Sequence, residues 1–135
     1  MKVLVDTSVW SLALRRKTPG NINGKLINLI LASQAVMIGP VRQELLSGIS
    51  DEEIFESLKS RLEPFEDLQI TTSDHETAAQ FFNICRVNGI QGSHIDFLIC
   101  AVAVRGDLHI FTTDKDFELF SKYLPIRLFE GKTQH

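Results

Sequence analysis

The chain has 135 residues, of which 14 are Lys or Arg and 17 are Asp or Glu, and its formal net charge is −3 at pH 7. This length predicts one domain, residues 1–135, that buries roughly two-thirds of the surface its unfolded chain exposes. A balance so close to neutral excludes a protein that binds nucleic acid through a large net positive charge, although a local basic rim remains compatible with it.

Short apolar runs alternate with helix-like segments along the chain. The runs are short enough for strands, whereas the longer segments carry apolar residues at helical spacing. In chain order, we predict strands over 3–5, 35–38, 68–70, 108–111 and 126–129, and helices over 9–14, 26–31, 41–49, 50–62, 73–87, 95–105 and 117–123. This alternation predicts an α/β fold with three layers, α/β/α, and a central, mostly parallel sheet of about five strands.

Several predicted helices begin with a hydroxyl residue in a capping pattern. Thr7 or Ser8 is expected to cap the first helix, and Gly39-Pro40 to close the second strand. A Ser or Thr three residues before an acid also matches the capping box. The pairs with this pattern are Ser50 with Glu53, Ser73 with Glu76, Ser93 with Asp96, and Thr113 with Asp116.

The cysteines and the lengths of the apolar runs indicate the cellular compartment of the protein. Cys85 and Cys100 lie in apolar, helix-like sequence without metal-ligand spacing, so we expect reduced thiols in the core. The apolar start is interrupted at Asp6, too early for the core of a signal peptide, and no later run is long enough to span a bilayer. We therefore expect a cytoplasmic protein.

Acidic residues follow two of the predicted strands directly. Asp6 comes after the first strand, and Asp114 and Asp116 come after the strand over 108–111. Side chains at the carboxyl ends of parallel strands converge on one crevice, where ligands bind. A single cap would use only one of Asp114 and Asp116, and Asp6 alone is equally compatible with a turn or N-cap.

Two further acids lie on predicted helices. Asp96 precedes a segment that is apolar on every side, so its carboxylate emerges from the core and needs a partner, although capping by Ser93 is a rival explanation. Glu44 falls at the edge of the apolar stripe made by Val41 and Leu45, where a lone Glu is commonly a surface residue. Four separate segments thus point carboxylates toward one crevice.

Such a cluster requires a cation or protonation. Carboxylates about 4 Å apart repel each other by roughly 4 kcal/mol at an effective dielectric constant near 20. Oxygen ligands select a hard ion, Mg²⁺ or Mn²⁺, which can activate water and offset charge on a phosphodiester. The neighbouring hydroxyls of Thr7, Ser8 and Thr112 are candidates to orient the acids or to contact a phosphate oxygen.

Four segments in this order, VDTSVW, RQELLSG, IDFLICAVA and FTTDKDF, resemble the PIN-domain endoribonucleases, in particular the VapC-like toxins of toxin-antitoxin pairs. The resemblance spans nearly the whole chain. It implies that Asp6, Glu44, Asp96 and Asp114 are the catalytic acids that hold Mg²⁺ or Mn²⁺, with Asp116 as an auxiliary acid and Thr112 as the hydroxyl of the Thr-x-Asp element. It also implies cleavage of single-stranded or loop RNA, such as tRNA or rRNA, homodimerisation, and neutralisation by a cognate antitoxin protein.

Two other interpretations stay open at this point. One is a non-catalytic module that binds RNA or protein, from which metal-dependent turnover would distinguish a nuclease. The other is a magnesium-dependent phosphatase, which fits poorly because position 8, where such an enzyme needs a second acid, is Ser8. His94, near Asp96, and dispersed basic residues are more simply surface groups, although they are candidates for contacts with RNA. These basic residues are Arg15, Arg16, Lys17, Arg42 and Arg86.

Overall fold

The computed structural model describes residues 1–15 and 20–129, in which four helices follow one another between the second and third strands, without the strand predicted over 68–70. The strands are β1 (Val3–Val5), β2 (Ala35–Val36) and β3 (His109–Phe111). The helices are α1 (Thr7–Arg15), α2 (Asn21–Leu31), α3 (Gly39–Leu46), α4 (Glu52–Leu62), α5 (Thr72–Val87), α6 (His94–Gly106) and α7 (Asp116–Phe120). The α/β class is therefore confirmed.

The sheet is parallel, with β1 between β2 and β3. The predicted count of about five strands is wrong for the described residues, because the segments over 68–70 and 126–129 do not form strands. Residues in or next to these segments form single parallel bridges instead, Asp67 with Met37 and Leu128 with Ile110. On one side β2 is short because Gly39 already begins α3, which leaves little extended backbone for an edge strand to pair with.

The chain connections account for the layers. From β1 the chain steps to β2 and on to Asp67 in one direction, then crosses back to β3 and Leu128 in the other. The rule that parallel crossovers are right-handed predicts α1 to α4 on one face of the sheet and α5 to α7 on the other. Contacts of α1 with α2 and α3, and of α5 with α6, agree with this arrangement. The direction reverses between β1 and β3, so the crevice at their carboxyl ends is the expected ligand site.

Helix α6 forms the centre of the core. It is buried continuously from Phe97 to Ala103, as its all-round apolar sequence predicts. Phe97 packs against Phe120 of α7 with ring centroids 4.8 Å apart. Both Cys85 and Cys100 are buried and free, as predicted, and burial raises the pKa of each thiol. Within the described residues, no helix combines the length and the apolar character needed to cross a membrane.

The capping predictions have mixed outcomes. The Ser93–Asp96 capping box is confirmed, but the other three are wrong. Helix α4 is capped by Asp51, which accepts from Ile54 N, and α5 has its capping box at Thr71 and Asp74. At α7, Asp116 N donates to the side chain of Asp114, and Thr113 has no capping role. In each case the helix starts a residue or more away from the predicted position, so another acceptor lies nearer to the free N–H groups.

Two predictions at strand ends are also corrected. Helix α1 already begins at Thr7, and the backbone carbonyl of Asp6 accepts from Val9 N and Trp10 N. Thr7 and Ser8 therefore do not cap this helix. Gly39-Pro40 does not simply close a strand but forms the first turn of α3, where the fixed φ of Pro suits a helix start.

Candidate active site

The Asp6 carboxylate lies where the carboxyl ends of β1 and β3 meet. It follows β1 directly and is only 6% exposed. Its Oδ2 accepts hydrogen bonds from Ser8 Oγ at 2.7 Å and from Thr112 Oγ1 at 2.8 Å. The backbone N–H of Asp6 donates to Phe111 O at 2.9 Å, which aligns the exit of β1 with that of β3. The predicted convergence of these strand ends is therefore observed.

The two hydroxyls also fix the loop that carries Asp114. Ser8 and Thr112 each have one proton, and Asp6 accepts both, so their oxygens remain available as acceptors. Thr113 N donates to Ser8 Oγ at 3.0 Å, and Asp114 N donates to Thr112 Oγ1 at 2.9 Å. The hydroxyl oxygens themselves are 3.3 Å apart. Ser8 and Thr112 thus hold both the Asp6 side chain and the Asp114 backbone in place.

Asp96 lies in the first turn of α6 and is close enough to Asp6 and Asp114 for their charges to act on it. Burial raises the pKa of its carboxyl above the ordinary value of 3.8, and the charges of Asp6 and Asp114 raise this pKa further, against the hydrogen bonds from Ser93, which lower it. The Ser93 N–H donates to Asp96 Oδ2 at 3.1 Å. Capping and proximity to the other acids are therefore both present at this residue, and neither interpretation of Asp96 excludes the other.

Glu44 and Asp116 lie further out. The Glu44 side chain is exposed rather than inserted at the core edge, and Thr7 Oγ1 donates to its Oε1 at 2.6 Å. This bond links the first residue of α1 to α3 and keeps Glu44 on the site side of the sheet. Asp116 is exposed, and its described hydrogen bond uses only its backbone N–H, which donates to Asp114 Oδ1 at 2.9 Å.

The donor set fits a hard divalent cation in its chemistry. Asp6, Asp96 and Asp114 offer oxygen ligands and share like charge. Among the side chains that the structure describes, no Lys, Arg or His forms an ion pair with any of the three. In the same part of the chain, no three acids, His or Cys converge closely enough to enclose a metal ion. Mg²⁺ needs only one or two carboxylates and keeps several waters, so the acids suit this ion without forming a complete cage.

The other sequence candidates have different environments. His94 stacks on Phe82 at 5.3 Å between ring centroids, and it lines a cavity of about 720 Å³ together with Glu44. Arg42 is structural: it pairs with Asp67 at 2.9 Å and donates to two backbone carbonyls between α4 and that acid. Arg86 is exposed beside the Phe82 ring. Arg16 and Lys17, and the side chain of Arg15, lie outside the described residues.

One charged pair was missed from the sequence. Asp74, in the first turn of α5, is only 2% exposed and pairs with Arg105 at 2.7 Å. The two residues are 31 positions apart, and their pairing follows from the packing of α5 against α6. The only available signal was the Thr71-x-x-Asp74 pattern, which marks a cap and carries no information about Arg105.

Comparisons with known proteins show the family and the fold of this chain. A family model of the PIN domain matches residues 3–123, and a comparison with curated protein sequences gives no match. Similar solved structures include FitAcB from Neisseria gonorrhoeae, with a TM-score of 0.77 and 22% identity over 97% of this chain and 99% of that one. VapBC2 from Rickettsia felis, bound to a DNA fragment from its promoter, has a TM-score of 0.76 and 18% identity over 96% and 98%. A toxin-antitoxin complex from Klebsiella pneumoniae has a TM-score of 0.65 and 18% identity over 86% and 90%. At these identities, the structural likeness shows the fold.

Proposed function

Because the chain belongs to the PIN domain family, we propose that it is a divalent-metal-dependent endoribonuclease, the toxin of a VapC-like toxin-antitoxin pair. PIN domains are generally nucleases. The proposed reaction is hydrolysis of RNA phosphodiester bonds in tRNA or rRNA, which would inhibit translation. The solved relatives named FitAcB and VapBC2 and the Klebsiella pneumoniae toxin-antitoxin complex support an antitoxin as partner. A homodimer in the cytoplasm remains part of the proposal.

The buried Asp6 carboxylate carries this proposal. It lies at the reversal point of a parallel sheet and is held by hydroxyls from two strand ends. Together with Asp96 and Asp114 it forms a group of acids for which the described side chains supply no cation. A protein that used these acids only as caps would have no need to bring them within electrostatic range of one another, because their mutual repulsion opposes folding.

In the proposed mechanism, Asp6, Glu44, Asp96 and Asp114 would hold Mg²⁺ or Mn²⁺, with Asp116 as an auxiliary acid. The bound ion would supply the positive charge that offsets negative charge developing on the phosphodiester and promotes attack by water. Thr112 and Ser8 keep the Asp6 carboxylate in one orientation through their hydrogen bonds to Oδ2. Thr7 does the same for Glu44. These hydroxyls lower the cost of ordering the acids when the substrate binds.

Cleavage of total RNA tests the proposal. Purified protein free of antitoxin is incubated with Mn²⁺, Mg²⁺ or a chelator, beside the Asp6→Ala variant and a folded control, Asp74→Asn. We expect discrete fragments that require metal and are absent with Asp6→Ala but present with Asp74→Asn. Intact RNA under every condition would contradict the nuclease and favour the non-catalytic binding module.

The phosphatase alternative has a separate readout. Ser8 occupies the position where such an enzyme needs a second acid, and its hydroxyl donates to Asp6. Ser8 therefore does not provide the general acid that such a phosphatase needs. Hydrolysis of p-nitrophenyl phosphate that is lost with Asp6→Ala, without any cleavage of RNA, would favour the phosphatase instead.

A further inference from the structure

A second cavity, which Glu44 does not line, opens beside Asp114. Its volume is about 470 Å³, within the range of roughly 300–1,000 Å³ that is typical of ligand sites. Thr112 and Asp114 form the wall that it shares with the active site, while α2, α7 and the chain at 128–129 form the others. On the proposed function, a group in this cavity would therefore lie next to the reacting phosphodiester.

Two lysines line the cavity and lack a partner in the described structure. Lys25 of α2 is partly buried, and Lys115 at the start of α7 is exposed. Among the side chains that the structure describes, neither forms an ion pair with a carboxylate. Two cations thus lie beside an acidic site without neutralising it. Ammonium groups in such a position suit the phosphate oxygens of an anionic strand.

Apart from Thr113, Glu118 and Ser121, the remaining lining residues are apolar. Ile22, Leu128 and Phe129 are partly buried and line the cavity. The Phe129 ring is tilted at 57° on Phe111, with centroids 5.0 Å apart, and it is more accessible than Phe111, which is 5% exposed. Bases of single-stranded nucleic acid stack on accessible aromatic rings, while basic residues follow the backbone. The cavity combines both kinds of contact.

We propose that this cavity binds the nucleotide adjacent to the scissile phosphodiester of single-stranded RNA. Lys25 and Lys115 contact its phosphate oxygens, and its base lies against Phe129. This inference rests on the proposed nuclease function and assigns a substrate-positioning role to residues outside the acidic group. Double-stranded nucleic acid keeps its bases paired and does not present a base to Phe129.

Salt-dependent binding tests the lysines. The probe is a fluorescently labelled single-stranded RNA of randomised sequence, bound to Asp96→Asn protein with Mg²⁺ over a range of salt concentrations. We expect Lys25→Gln and Lys115→Gln to weaken binding, and each to reduce the slope of log K against log salt by about 0.7 for one lost phosphate contact. Lys122→Gln is the matched control, because Lys122 is exposed and does not line this cavity. Slopes for both lysine variants equal to that of Lys122→Gln would overturn the proposal.

Cleavage kinetics and cross-linking separate this inference from the proposed function. In the active protein, loss of either lysine should raise KM and leave kcat unchanged, as expected for uniform binding of substrate and transition state. RNA that carries 5-iodouridine should cross-link on irradiation to the peptide that contains Phe129, and Phe129→Leu should abolish this product. Unchanged KM with cross-links only outside the cavity would overturn the subsite while leaving the nuclease intact. Lysine-dependent binding without any metal-dependent cleavage would overturn the nuclease alone.

Discussion

Asp6 and Asp74 are the two buried charged side chains among the described residues, at 6% and 2% exposure, and their surroundings differ in one respect. Asp74 accepts from the Arg105 guanidinium at 2.7 Å and from Thr71 N at 2.9 Å. Asp6 accepts from two neutral hydroxyls and has no cationic partner among the described side chains. A positive charge stabilises a buried carboxylate. The fold supplies one for Asp74, whereas on the proposed function a bound Mg²⁺ or Mn²⁺ would supply it for Asp6.

RNA cleavage by variants in which each acid is neutralised should show the largest difference between Asp6 and Asp74. Asp6→Asn should lower kcat/KM by about a thousandfold, because several kcal/mol of transition-state charge stabilisation depend on the ion that it helps to hold. Asp74→Asn should retain the wild-type rate at temperatures well below its melting point. Equal losses for the two variants would show that Asp6, like Asp74, acts only through stability.

The Asp74–Arg105 pair should affect the free energy of unfolding rather than RNA cleavage. Arg105→Met leaves the Asp74 carboxylate buried beside an apolar side chain, and we expect the free energy of unfolding to fall by about 2–3 kcal/mol. This lies below the range for fully buried pairs because Arg105 is partly exposed. Urea unfolding measures the effect. Arg127→Met is the control, since its partner Asp107 is 88% exposed and surface pairs contribute little. A similar loss for both arginines would contradict the assigned difference.

A third experiment compares the stability of wild type and Asp96→Asn with and without metal. Asp96→Asn should leave the metal-free protein as stable as wild type or more stable, because it removes repulsion with Asp6 and Asp114 while Asn still accepts from Ser93. The variant should also lose the rise in melting temperature that Mn²⁺ gives to wild type. If the variant is about 1 kcal/mol less stable than wild type both with and without metal, Asp96 is a cap alone.

The smallest expected effect is the pH dependence of the Asp74 pair. The hydrogen bond from Arg105 holds the pKa of Asp74 below its ordinary value of 3.8, although burial alone would raise it. Below pH 3.8 the unfolded chain therefore takes up this proton before the folded protein does, and stability falls as the pH drops through the folded pKa. The stability advantage of wild type over Asp74→Asn should be constant near neutral pH and disappear in this acidic window. An advantage that grows with acidification would contradict the assignment.

Local patterns in the sequence were sufficient for much of the site. Asp6 and Thr112 follow buried apolar runs, and the rule for parallel sheets brings such positions together. Asp96 was predicted from an acid that precedes an all-apolar helix, and its capping box with Ser93 is present. Each of these patterns spans only a few residues, so it can be recognised from a single segment of the sequence.

Features that depend on distant packing were not predictable in this way. Arg105 and Asp74 meet only because α5 packs against α6. The two missing strands depend on how much extended backbone a neighbour offers, and Met37 and Ile110 offer a single bridge each. Glu44 is exposed, as is common at the edge of an apolar stripe. Its hydrogen bond from Thr7, a residue 37 positions away, is not indicated by helical periodicity.

The hydrogen bond between Thr112 and Asp6 spans 106 positions of the chain, and this separation has a consequence during synthesis. The ribosome adds Thr112, whose hydroxyl orients Asp6, 106 positions after Asp6, and the backbone that carries Asp114 follows it. Until then a nascent chain cannot assemble this end of the sheet. Protein synthesis is therefore separated in time from the appearance of an activity that, on the proposed function, attacks the RNA of the translation apparatus itself.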